Sequence, residues 1–174
     1  MRRFTLAIER ALNDKNWYAA LSLALIIPDV CGKIQYPEKK SQERYVAWFQ
    51  KYLEEKYTHE IGVYREKTSF LSAVDCYALR CSLLHEGSDE ITTQHCKKVL
   101  DKFLFATTGS HCNLLGDNEH PILQLDVSSF CKDICEAVTT WSADVSNDKE
   151  IQKRFSSIIH IHTESFTLNG MIMT

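Results

Sequence analysis

The chain has 174 residues, of which 44% are hydrophobic and 25% are charged, and its formal net charge at pH 7 is -3. This length can bury a substantial core without metal ions or disulfide bonds, and the composition is typical of a soluble globular domain. The slightly acidic balance excludes a whole-surface attraction for phosphates. Any nucleic-acid contact must therefore come from local basic pairs, such as Arg2 with Arg3 or Lys97 with Lys98.

Apolar spacing predicts three helices in the first third of the chain. The first covers residues 5–12, and the second begins after Asn13 or Asp14 as a cap and ends or kinks at Pro28. The third begins at Ser41 and carries a stripe of large side chains at helical spacing. We interpret this stripe as core rather than as a base-binding surface; it consists of Tyr45, Trp48, Phe49, Tyr52 and Leu53.

The apolar run at residues 19–27 is too short to span a bilayer. Charged residues lie between this run and the N-terminal arginines, which is unlike a signal peptide. We therefore expect a soluble cytoplasmic protein without a membrane partner.

A fourth helix is predicted over residues 69–86, followed by Gly87 as its stop. At about 100 degrees per residue, five side chains fall within a narrow sector, whereas Leu79 and Leu83 lie on nearly the opposite side. The helix is therefore apolar on two faces, and one of them is free to contact a neighbour such as a second copy of the chain. The narrow sector contains Phe70, Val74, Tyr77, Cys81 and Leu84.

The remaining residues predict a mixture of short strands and helices. Extended runs at 103–107 and 122–127 are separated by turn residues, and helices follow at 128–144 and from 148 to about 157. Asn169 and Gly170 form the strongest short hairpin signal in the tail. We expect a single, mainly α domain over 1–174. Its helical bundle core covers about 1–90 and 127–158, and short β segments at about 99–127 and 159–174 form a small hairpin or sheet appendage.

The seven cysteines indicate reduced thiols, because their number is odd and no secretory signal is predicted. Cys131 and Cys135 are four residues apart and Cys76 and Cys81 are five apart, and neither pair has the spacing of a zinc knuckle. Three further pairs could add metal ligands, but their spacing is unpatterned: His95 with Cys96, His111 with Cys112, and His160 with His162. We therefore expect no metal ion and no other cofactor.

The chemistry-bearing residues of the fourth helix are Arg80 and His85. Arg80 falls about 80 degrees to one side of the apolar sector and His85 about 60 degrees to the other, so they flank it without sharing a face. Packing of this sector against its two-fold mate would gather two guanidinium and two imidazole groups into one cleft. Imidazole can transfer protons near neutral pH, and guanidinium can hold a phosphate, which suits RNA cleavage without a metal.

The segment LRCSLLHEG resembles the R-x4-6-H signature of HEPN domains, a superfamily of helical bundles. Many members are ribonucleases of toxin-antitoxin, abortive-infection and CRISPR defence systems. The resemblance covers mainly the helices up to Gly87. It implies a HEPN-like bundle and a homodimer with a composite, metal-independent active site made by Arg80 and His85 of both copies. It also implies RNA as substrate and a protein antitoxin or other partner.

Other interpretations stay open on the same residues. Arg80 could neutralise Asp75, Glu86 or an acid on another helix, while His85 offsets the helix dipole. Cys81 stands where many active members have a polar residue, which favours a catalytically inactive HEPN-like module that binds a protein, RNA or a nucleotide. Gly87 replaces the tyrosine of members paired with a nucleotidyltransferase antitoxin and argues against that subgroup. Arg154 and His160 match the same loose motif, and we treat that match as coincidental.

Overall fold

The computed structural model describes residues 1–91, 99–117, 119–162, 164–168 and 171–173. These residues contain six α-helices around one apolar core, and the prediction of a mainly α protein is confirmed. The second helix lies centrally and contacts the other five. The helices are α1 Arg2–Asn13, α2 Trp17–Gln35, α3 Ser41–Tyr52, α4 Ala73–Glu86, α5 Val127–Asp144 and α6 Lys149–Arg154.

Three small sheets accompany the helices in the described residues. The first hairpin, between α3 and α4, was not predicted from the sequence. The middle sheet has the order β3-β5-β4, with β3 and β5 parallel, and it agrees with the predicted extended runs. The last hairpin flanks Asn169 and Gly170, which lie outside the described residues. The strands are β1 Thr58–Ile61, β2 Glu66–Ser69, β3 Lys102–Ala106, β4 Asn113–Leu115, β5 Ile122–Asp126, β6 Phe166–Leu168 and β7 Met171–Met173.

The second helix was predicted to end or kink at Pro28. It does not end there, because α2 continues through Pro28 to Gln35. Proline inside a helix costs about 3 kcal/mol. Burial of Ile27, Cys31 and Ile34 on both sides of the proline offsets that cost, since each buried aliphatic side chain contributes about 1.5–3 kcal/mol.

The length of α2 also matters for the prediction that the chain does not cross a membrane. With 19 residues it is longer than the apolar run that was judged too short, and by length and composition it could cross a bilayer. Half of its most apolar window is buried inside the fold, which is consistent with a core helix.

Helices α2 and α3 approach each other closely at Gly32. A Cβ at this position would lie 2.6 Å from the carbonyl oxygen of Arg44, a distance that real side chains do not tolerate. The aromatic stripe of α3 is core as predicted, because Tyr45, Trp48 and Phe49 are fully buried. The missing side chain of Gly32 therefore lets α3 bring Arg44 against α2.

Helix α4 is shorter than predicted and begins after Ser72, whose hydroxyl accepts a hydrogen bond from the backbone N–H of Asp75 (3.1 Å). It ends at Gly87 in the left-handed conformation, as its sequence predicted. Its core face includes the buried Cys76 and Leu79. The opposite sector is only half-buried, which leaves a surface that we call the α4 stripe: Val74, Tyr77, Cys81 and Leu84.

Candidate functional site

The side chains of Arg80 and His85 meet at their ends. Arg80 Nη1 lies 3.4 Å from His85 Nε2, although the sequence predicted two groups on opposite edges of the apolar sector. The long arginine side chain crosses the angle that separates the two residues on the helix. His85 is exposed, whereas only 19% of the Arg80 side chain is accessible. A neutral imidazole with its proton on Nδ1 can accept a hydrogen bond from the guanidinium through Nε2.

Arg80 is anchored by an acid on another helix, one of the partners that the sequence left open. Its Nη2 lies 3.4 Å from Asp29 Oδ2 on α2, and the other carboxylate oxygen, Oδ1, accepts a hydrogen bond from Arg44 Nε (2.7 Å). The Ser41 hydroxyl also donates to this carboxylate. Asp75, by contrast, is bonded to the Ser72 hydroxyl and to the Val99 N–H.

We call Asp29, Arg44, Arg80 and His85 the arginine cluster. Two guanidinium groups share the single carboxylate of Asp29, so one positive charge is left over before any protonation of His85. The Nε atom of Arg80 is buried and has no hydrogen-bond partner among the described residues. An unsatisfied buried donor costs about 1–3 kcal/mol, and a bound water, an ion or a catalytic role can explain it. The indole Nε1 of Trp48 in the core is a second such donor among the described residues, so this feature supports a site only together with the surplus charge.

The groups around the arginine cluster do not cancel its charge. The Tyr45 hydroxyl and the Cys76 thiol form a buried pair 3.3 Å apart. Burial raises the pKa of Tyr45 far above its usual value and raises that of Cys76 to about 12. Burial also raises the pKa of Tyr77 on the α4 stripe. All three groups are therefore neutral near pH 7, so none of them compensates the surplus positive charge.

Sequence reasoning missed Asp29, Arg44 and Ser41. One signal was available, since Asp29 is a charged residue within an apolar stretch, where a carboxylate needs a partner. The two residues of the second motif match, Arg154 and His160, contact different parts of the chain. Arg154 donates to the carbonyl of Ile34 (2.9 Å), and the His160 ring packs against that of His162.

A second charged cluster, also missed, joins the β1 hairpin region to α5 around Asp133. Its carboxylate accepts hydrogen bonds from Lys56 Nζ (2.7 Å) and the Tyr57 hydroxyl (2.9 Å), and it faces His111 Nε2 at 3.5 Å. The backbone N–H of Asp126 donates to His111 Nδ1 (3.1 Å), which places the imidazole proton on Nε2. We call Lys56, Tyr57, His111 and Asp133 the Asp133 cluster.

Within the described part of the chain, no group of three histidine, cysteine, aspartate or glutamate residues comes together to hold a metal ion. Cys96 and His95 lie outside that part. Burial raises the pKa of Cys131 to about 12 and that of Cys135 to about 11. Comparisons of the chain with protein-family models, with curated proteins and with solved structures found no match. Its function must therefore be inferred from the geometry of the two clusters.

Proposed function

We propose that the protein is a HEPN-like, metal-independent endoribonuclease that acts as a homodimer, with Arg80 and His85 of both copies as its catalytic residues. One observation carries the proposal: an exposed imidazole touches a guanidinium that belongs to a cluster with surplus positive charge. The R-x4-H motif supplies the resemblance to HEPN domains. By the same resemblance it acts as a toxin or defence component with a protein antitoxin or other partner. The cytoplasmic localisation rests instead on the charged residues that precede the apolar run at residues 19–27.

The chemistry follows from the two groups. When RNA binds, Arg80 Nη1 turns from His85 Nε2 to the phosphate and frees the lone pair of that nitrogen. His85 Nε2 then takes the proton of a ribose 2'-hydroxyl, and the 2'-oxygen attacks the neighbouring phosphorus. The new P–O2' bond forms as the P–O5' bond breaks, and a second histidine, in its protonated imidazolium form, gives a proton to the leaving 5'-oxygen and becomes neutral. Arg80 stabilises the charge that develops on the phosphoryl oxygens, and the products are a 2',3'-cyclic phosphate and a 5'-hydroxyl.

The second imidazole comes from the second copy of the chain. The α4 stripe lies between the starting points of Arg80 and His85 and is half-buried, which suits a surface that is covered on dimerisation. A two-fold axis through this stripe brings both pairs of catalytic groups to one cleft, whether the helices cross parallel or antiparallel.

A ribonuclease assay in EDTA tests the activity. The wild-type protein should cleave single-stranded RNA at full rate in the chelator, and Arg80→Ala and His85→Ala should each reduce cleavage at least a hundredfold. Size-exclusion chromatography and circular dichroism of the variants control for folding and dimerisation. Cleavage by both variants at the wild-type rate would refute the assignment of these two residues.

The dimer is tested on the α4 stripe. Leu84→Glu places a charge on this apolar surface, so we expect a monomer by sedimentation and loss of cleavage. Leu6→Glu is the matched control, because Leu6 is a partly exposed leucine on α1, away from the stripe. A dimeric Leu84→Glu variant would show that the copies meet elsewhere.

A catalytically inactive module that binds a protein, RNA or a nucleotide is the second candidate. Two observations favour it: Arg80 is already paired with Asp29, and Cys81 Sγ lies 4.0 Å from Arg80 Nη1 where a polar group would give a stronger contact. Wild-type protein without cleavage activity, together with a Leu84→Glu variant that loses binding of its partner, would support this function.

A further inference from the structure

A groove begins at the arginine cluster and runs along α2. It has a volume of about 380 Å³ and is bounded by α2, α3, the start of α1 and residues 157–159. Arg44 and Lys33 contribute cations to its described lining, in which Asp29 is the one carboxylate. Phe4 and aliphatic side chains form the rest of its wall. The two oxygens of Asp29 thus face different partners, Arg80 on one side and Arg44 on the other.

Arg44 retains free hydrogen-bonding capacity. Its Nε is committed to Asp29, whereas its two terminal nitrogens have no hydrogen-bond partner among the described residues, and 19% of the side chain is accessible. Lys33 Nζ donates to the carbonyl of Pro37 (2.9 Å) and has two further donors. The groove therefore offers a guanidinium edge and an ammonium group to an anion.

The charge of the arginine cluster indicates the sign of its ligand. Asp29 can neutralise only one of its two guanidinium groups, and an uncompensated charge in a mostly buried cluster is unfavourable. A phosphate bound to the terminal nitrogens of Arg44 would balance the second charge. Arginine suits this role because its planar donors match phosphate oxygens bidentately.

We propose that this groove binds the backbone of single-stranded RNA next to the scissile phosphate. Arg44 and Lys33 hold a flanking phosphate, and Phe4 provides an aromatic surface for its base, as in other single-strand tracks. Asp29 is a positioning residue, since it orients both Arg44 and Arg80 without touching the RNA. Because both guanidinium groups bond one carboxylate, they are close enough to contact neighbouring phosphates of one strand. The inference rests on the proposed ribonuclease function.

Binding of an RNA that cannot be cleaved tests the groove separately from catalysis. The probe is a fluorescein-labelled 12-nucleotide RNA with a 2'-O-methyl group on every residue, followed by fluorescence anisotropy. We expect Arg44→Met to weaken its affinity about tenfold, Arg44→Lys to retain most of it, and the exposed Arg10→Met control to match wild type.

A second variant avoids any effect on folding. The side chain of Lys33 is exposed, so Lys33→Ala should keep the wild-type Tm while it weakens binding of the 12-nucleotide probe about threefold, with the exposed Lys40→Ala as control. Removing one phosphate contact should also reduce the slope of log affinity against log salt by about 0.7. Wild-type affinity in both Arg44→Met and Lys33→Ala would overturn the groove assignment.

Steady-state kinetics distinguish the role of Arg44 in binding from that of Asp29 in positioning. With cleavable RNA, Arg44→Met should raise KM with little change in kcat, whereas Asp29→Asn should also lower kcat because Arg80 loses its anchor. If Arg80→Ala and His85→Ala cleave like wild type but Arg44→Met still weakens probe binding, the nuclease proposal fails and the RNA groove stands. If all groove variants bind the probe like wild type but Arg80→Ala loses cleavage, the groove assignment fails and the nuclease proposal stands.

Discussion

The arginine cluster and the Asp133 cluster are built from similar groups and have opposite balances. Each combines a carboxylate, cations and a histidine at the contact between distant parts of the chain. In the arginine cluster two guanidinium groups share Asp29. In the Asp133 cluster one lysine lies between two carboxylates, Asp133 and Glu136, so that its charge is fully compensated.

The two histidines differ in the same way. Both ring nitrogens of His111 are occupied, Nδ1 by a backbone N–H and Nε2 by the carboxylate of Asp133. His85 is exposed, and in the described structure its Nε2 contacts Arg80 while its Nδ1 faces no hydrogen-bond partner. A histidine with both nitrogens occupied cannot exchange a proton with a substrate without breaking the structure around it.

A ligand site and a structural network differ in how fully their polar groups are satisfied. Saturated donors, a cation compensated by carboxylates and a fixed tautomer indicate an arrangement that stabilises the fold. Surplus charge, an unpaired buried Nε and an exposed imidazole indicate an arrangement that is completed by a ligand. We therefore expect substitutions in the arginine cluster to reduce activity and substitutions in the Asp133 cluster to reduce stability.

Exchange of the two histidines for alanine should give opposite results. His85→Ala should slow RNA cleavage at least a hundredfold and change the free energy of unfolding by less than about 1 kcal/mol, because the side chain is exposed. His111→Ala should cleave at the wild-type rate per folded molecule but unfold more easily by about 1–2 kcal/mol, since it leaves Asp126 N–H without its acceptor. Urea titrations and initial rates measure both effects.

A reversed outcome would contradict the assignment of the two clusters. If His111→Ala abolished cleavage in a protein that is still folded at the assay temperature, the Asp133 cluster would be the better candidate site. Wild-type stability in His111→Ala would show that its hydrogen bonds contribute nothing to the fold.

The next effect concerns Asp133. Asp133→Ala removes the acceptor of Lys56, Tyr57 and His111 at once, and we expect a loss of about 2 kcal/mol in the free energy of unfolding. The matched control is Asp144→Ala, whose carboxylate is half-exposed and pairs with Lys51; its loss should stay below about 1 kcal/mol. If urea unfolding showed equal losses of unfolding free energy in the two variants, the Asp133 cluster would not be a special stabilising contact.

The sequence predicted what depends on local periodicity. The aromatic stripe of α3, helix α5 and the glycine end of α4 follow from apolar spacing and from the left-handed preference of Gly87. The half-buried α4 stripe also agrees with the second apolar face predicted for that helix. These features are set within a few turns of chain, so a single sequence contains the information.

What the sequence did not predict depends on distant contacts. Asp29 and Arg80 are 51 positions apart, and the expected helix end at Pro28 removed Asp29 from any helical face. The hairpin of β1 and β2 escaped because most of its side chains are exposed and show no apolar alternation; backbone pairing from Thr58 to Ser69 holds it. The packing of α2 overrides the tendency of proline to end a helix, and this outcome cannot be predicted from the neighbouring residues alone.

The smallest effect expected is the loss of the Asp133 cluster in acid. Burial by itself raises the pKa of Asp133, but the combined hydrogen bonds from His111, Lys56 and Tyr57 outweigh burial and hold the pKa below its usual value. A carboxyl whose pKa is lower in the folded than in the unfolded state stabilises the fold above the unfolded pKa of about 3.9, and that contribution disappears as the pH falls through the folded pKa.

Asp133→Asn keeps the shape of the side chain and removes its charge, so it isolates this contribution. We expect wild type to exceed the variant by about 1 kcal/mol in the free energy of unfolding at pH 7 and pH 5, and the difference to shrink from pH 4 towards pH 2. Urea unfolding at each pH measures it, with the half-exposed Asp144→Asn as a control that should differ little from wild type throughout. A difference that stayed constant down to pH 2 would mean that Asp133 stabilises the fold through the shape of its hydrogen bonds and not through its charge, and the contrast in charge balance between the two clusters would then lose its energetic basis.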